Sequence, residues 1–126
     1  MTGRQIYNYL LTAAGDGLEL YASGFWRDAS LFVKDVQLGE RVYLLCSKVE
    51  EGEEQSPPMK AGRLFKKLHA FLDSAGGPGG PMEKDVFART RPLGNYATIS
   101  RAVAGVDEVP CYKGRALCFA TSPATV

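Results

Sequence analysis

The chain has 126 residues, 45% of them hydrophobic and 23% charged, with a formal net charge of +1, proportions that exclude wholesale disorder and a generally polybasic protein. No apolar run nears the roughly 20 residues that span a bilayer. The opening MTGRQIYNYLLTAAGDG lacks the apolar core of a signal peptide, so a soluble, intracellular (cytoplasmic) protein is expected.

Residues 3–14, GRQIYNYLLTAA, set Ile6, Leu10 and Ala13 or Ala14 at helical spacing, with Tyr7 and Leu11 widening the stripe. Thr2 is the candidate cap and Gly15-Asp16-Gly17 the stop. The period changes at 18–26, LELYASGFW, where Leu18, Leu20, Ala22 and Trp26 alternate with Glu19, Tyr21, Ser23 and Phe25, as a strand requires. Arg27-Asp28-Ala29 reads as a turn and LFVKDV at 31–36 as a second strand. After a turn at Leu38-Gly39-Glu40 comes the strongest strand, RVYLLCSKV at 41–49. It has Val42, Leu44 and Cys46 on one side and Tyr43, Leu45 and Val49 on the other, which predicts the middle of a covered sheet.

A polar loop at 50–58, EEGEEQSPP, precedes a helix over 60–75. There Leu64, Phe65, Leu68, Phe71, Leu72 and Ala75 fall within one arc, while Lys60, Arg63, Lys66 and Lys67 lie outside it. Such a helix packs on the sheet and also presents a basic face. Gly76-Gly77-Pro78-Gly79-Gly80-Pro81 suits neither a helix nor a central strand and reads as a flexible Gly/Pro loop at 76–81. VFART at 86–90 follows as a short strand, and residues 95–105 leave strand and helix both open. VPCY and RALCFAT form a hairpin about Lys113-Gly114. No repeat is visible in the residues. The expected fold is α+β: a single domain over 1–126, an antiparallel sheet with the N-terminal helix and the central amphipathic helix packed on it.

The order α-β-β-β-α resembles that of double-stranded RNA-binding domains, whose basic cluster opens the second helix where Lys60, Arg63, Lys66 and Lys67 stand here; nothing else in the chain matches that family. The order α-β-β-β-α-β also resembles the core of the endonuclease-like fold. Its metal site would need paired acids, with Asp35 and Glu40 as candidates, but Val42 stands where a lysine is required. Cys111 and Cys118 are seven apart with no nearby histidine, and the odd count of three cysteines reads as reduced thiols. His69, four residues before Asp73, reads as a boundary residue, and a Cys111–His69 nucleophile pair is conceivable only in the sense that any cysteine and histidine in one chain permit it. GGPGG follows a helix, contains proline and lacks Gly-Lys-Ser/Thr, so it is no phosphate loop. No catalytic residue, metal or cofactor is expected.

Charge is uneven: residues 1–55 carry five basic and nine acidic side chains, net −4, whereas residues 56–126 carry ten basic and five acidic, net +5. The leading expectation is a small non-enzymatic binding protein for single-stranded or structured nucleic acid, RNA or single-stranded DNA. Its contacts would come from Lys60, Arg63, Lys66 and Lys67 on the helix, with Arg89, Arg91, Tyr96, Arg101, Lys113 and Arg115 beyond it. The alternative is a homo-oligomeric assembly subunit in which Glu50, Glu51, Glu53 and Glu54 meet the basic half of another copy.

Overall fold

The computed structural model describes residues 1–13, 15, 17–26, 29–47, 57–75, 77–90, 99–111 and 114–122. Alternating apolar residues along the strands supply one inward row each, and a sheet that closes on itself buries those rows against one another without leaving an edge. It does so here. The elements are α1 (Gly3–Ala13), β1 (Glu19–Trp26), β2 (Ala29–Leu38), β3 (Val42–Ser47), α2 (Ala61–Ala75), a 3-10 turn (Pro81–Glu83), β4 (Phe87–Thr90), β5 (Ser100–Cys111) and β6 (Gly114–Ser122). The strands form a closed barrel in the order β1-β2-β3-β4-β5-β6.

The α+β class holds, and the sheet is mixed. Pairs β1–β2, β2–β3, β4–β5 and β5–β6 are antiparallel, whereas β3–β4 and β1–β6 are parallel. A parallel pair needs a crossover, and α2 supplies it between β3 and β4. Although no repeat shows in the residues, the elements repeat: a helix and a three-strand meander, α1-β1-β2-β3, then α2-β4-β5-β6. The last strand of each unit pairs in parallel with the first strand of the other.

α1 starts as the sequence predicts. Thr2 N–H donates to Gln5 Oε1 at 2.8 Å and Gln5 N–H to Thr2 Oγ1 at 3.2 Å, a reciprocal capping box. Ile6 and Leu10 then join Leu64 and Leu68 of α2, Met82 of the 3-10 turn and the inward rows of all six strands in one buried cluster. Within the Gly/Pro stretch, Gly80 N–H closes a turn on Gly77 O at 3.0 Å, and the chain is then anchored by fully buried Met82. Residues 100–105, open between strand and helix in sequence, belong to β5 because β4 and β6 flank them with ladder partners.

Two departures from simple alternation shape the barrel. In β1 the register slips between Ser23 and Trp26, with Gly24 at φ 97°, so Phe25 turns inward and is buried rather than facing outward with Tyr21. At the other end of β1 its pairing with β2 stops, and Met59 fills the gap. Leu20 N–H donates to Met59 O at 3.0 Å and Met59 N–H donates to Val33 O at 2.7 Å, so one residue bridges two strands. Pro58 and Met59, at the edge of the expected polar loop, are therefore buried. No helix among the described residues is long and apolar enough to cross a membrane.

Candidate functional site

With Val42, Leu44 and Cys46 committed to the interior, Tyr43, Leu45 and Ser47 face outward from β3 and stay half-buried. The parallel partner β4 alternates likewise, with Ala88 and Thr90 buried and Phe87 and Arg89 half-buried on the outer side. Register aligns Tyr43 with Phe87 and Leu45 with Arg89. The Tyr43 and Phe87 rings lie 6.4 Å apart at 37°. Arg41 sits 4.5 Å over Phe87, and Arg89 sits 3.9 Å over Tyr43. The result is a ladder, Arg41–Phe87–Tyr43–Arg89, in which each guanidinium is drawn to the negative face of a ring. Arg89 Nε also donates to Ser100 Oγ at 3.3 Å, which orients it.

On the other flank of β3, Ser47 pairs with Phe32 of β2. Lys34 Nζ lies 5.0 Å over the Phe32 ring, and Tyr21 meets that ring edge-on at 5.2 Å. Here the Met59 insertion opens a cleft of about 590 Å³ lined by Lys34, Leu45, Cys46, Ser47, Pro57, Pro58, Met59, Lys60 and Arg63. Three of these residues are cationic, and none of the described lining residues is acidic. Burial lowers the pKa of Lys34 below the ordinary lysine value. Leu45 is common to cleft and ladder, since it lines the one and is the register partner of Arg89 in the other.

The predicted site residues separate into groups. Lys60 and Arg63 line the cleft and Arg89 forms one end of the ladder. Lys67 is engaged by Asp35, its Nζ donating to Oδ1 at 3.0 Å. That bond, with a second from Val36 N–H at 2.8 Å, holds the Asp35 carboxyl below its ordinary pKa. Lys66 is exposed on α2. Arg115 is exposed on the β5–β6 hairpin and bonds Glu108 at 2.8 Å across it. Arg101 pairs in register with buried Ala88, which turns it to the interior side, opposite Arg89. Arg91, Tyr96 and Lys113 lie outside the described residues, as do Glu50, Glu51, Glu53 and Glu54.

Sequence reasoning missed Arg41, Tyr43, Phe87 and Lys34 because Tyr43 read as one side of a doubly covered strand. The available signal was a cation two residues from an aromatic, Arg41-x-Tyr43 and Phe87-x-Arg89, which puts both on one side of a strand. His69 stacks with Tyr7 and Phe65 between the helices, and its Nδ1 bonds Tyr7 OH at 2.8 Å, so its partner is a phenol rather than Asp73. Burial pushes the Cys46 thiol up to about 12, leaving it unreactive at neutral pH. Among the described residues no group of three or more His, Cys, Asp or Glu could hold a metal ion. Comparison with protein-family models, curated proteins and solved structures finds no match to the chain.

Proposed function

We propose that the protein is a non-enzymatic binder of single-stranded nucleic acid, with bases stacking on the outer face of β3 and β4. The observation that carries this reading is the Arg41–Phe87–Tyr43–Arg89 ladder and its continuation through Leu45 into the basic cleft. Bases offer π-faces whatever their identity, and each base–aromatic stack is worth about 1–3 kcal/mol. Arginine planes extend such a stack and pair with phosphate. Self-association through apolar contact would need a continuous apolar face. The large exposed apolar side chains among the described residues are Leu11 on α1 and Ile99 just before β5, one on each.

The test is fluorescence anisotropy with labelled oligouridylate and oligothymidylate of about 12 nucleotides across a salt series. Binding is expected to weaken with salt. Tyr43→Ala should lose about tenfold in affinity, and Arg89→Ala should flatten the salt slope by about one counterion. Circular dichroism should show that both variants stay folded. Binding by the wild type that ignores salt, or variants indistinguishable from it, overturns the reading.

A further inference from the structure

We infer that the cleft beside the ladder receives a terminal phosphate, so that the protein grips the end of a strand rather than its interior. This rests on the single-strand reading above. Along a strand each internal phosphodiester carries one negative charge, and single arginines such as Arg41 and Arg89 suffice to meet it. A terminal phosphomonoester carries about −1.5 to −2 at pH 7 and offers three acceptor oxygens to one locus. The cleft gathers cations in that proportion. Lys60 and Arg63 alone match the dianion, and Lys34, lying over Phe32, brings a third positive group to the same volume. Of the described acids nearby, Asp35 is bonded to Lys67 and to Val36 N–H, and Glu19, the backbone bridge partner of Lys60, accepts from Tyr21 OH at 3.0 Å.

The frame around those cations is fixed. Met59 is hydrogen-bonded to both Leu20 and Val33, and Lys60 is bridged to Glu19 through the backbone. Pro57 and Pro58 carry no N–H, so this wall cannot donate to a phosphate. At the start of α2 three donors are already engaged: Ala61 N–H is bonded to Leu18 O at 2.8 Å, and Arg63 and Leu64 N–H to Lys60 O at 3.1 and 3.2 Å. Recognition is assigned to the exposed side chains of Lys60 and Arg63. Leu45 sets the position of the end group. It is two residues from Tyr43, about 7 Å along the strand, so a terminal base stacked on Tyr43 has the cleft within reach of its own phosphate.

The experiment compares three oligonucleotides of one sequence on the full chain: one with a 5′-phosphate, one with a 3′-phosphate, and one with hydroxyls at both ends. One phosphorylated end is expected to bind at least about tenfold tighter than the hydroxyl-ended strand, and which end does so assigns strand polarity. The double variant Lys60→Gln/Arg63→Gln, both at exposed positions, should bind all three with the affinity of the hydroxyl-ended strand. Tyr43→Ala should weaken all three alike. Equal affinity of the wild type for the three strands overturns the end-binding inference and leaves the stacking surface standing, as does a preference that survives the double variant. Failure of all three to bind overturns both.

Discussion

Arg89 and Arg101 stand on neighbouring strands and occupy opposite environments. Arg89 lies over Tyr43 on the outer face, while Arg101 turns inward, 5.9 Å from the Phe25 ring, with its Nε buried and, among the described residues, without a hydrogen-bond partner. A desolvated donor with no partner costs stability. Arg101→Met should therefore raise stability by about 1 kcal/mol in urea unfolding and leave nucleic-acid affinity unchanged, the opposite of Arg89→Ala on both counts. Asp35 gives a second prediction at this scale. Its folded pKa is depressed, first by the bond from Lys67 and then by that from Val36 N–H. The stabilisation is thus complete above the unfolded carboxyl value, near pH 4, and is lost as pH falls through the folded value. Both partners are well exposed, at 44% and 35%, so solvent screening limits the effect to about 0.5 kcal/mol. Thermal melts should show wild type above Asp35→Asn at pH 7, with the gap narrowing as pH falls below about 4.

The helices were the most legible elements, because a 3.6-residue stripe survives any choice of partner: Leu64 and Leu68 are buried as the arc of α2 requires. The strands were legible as strands and less so in phase. A bulge resets alternation without an obvious sign in the residues, which is how Phe25 came to the inside. Met59 was illegible for a related reason, since a single residue bridging two strands has no period at all. That bridge is testable. Met59→Pro removes the N–H bonded to Val33 and should cost about 3 kcal/mol, whereas Met59→Leu, which keeps the backbone bonds and most of the volume, should cost less than about 1.5. The site was legible in the same proportion. Lys60, Arg63 and Arg89 stood out by charge, while Tyr43 and Phe87 were hidden because an outward aromatic on a strand looks like core until the sheet is known to close.

In the whole molecule the two helix–meander units are joined along two parallel seams, β3–β4 and β1–β6. Gly24 shows how close the second seam is. A Cβ there would lie 2.6 Å from Thr121 O, and its φ of 97° is one that other residues rarely adopt. Thr121 Oγ1 meanwhile donates to Ser23 O at 2.6 Å across the same seam. Gly24→Ala should cost at least about 2 kcal/mol in chemical denaturation. Gly39→Ala, at a position where an added Cβ meets nothing within 4 Å, should change little. The seam also governs how the chain can be made. Ser23 and Thr121 are 98 residues apart, so β1 gains its second neighbour only after β6 has left the ribosome. Until then the first meander carries two unpaired edges and an uncovered apolar face. Closure of so non-local a contact belongs to the millisecond-to-second regime, and the nascent first half is the stage most exposed to aggregation.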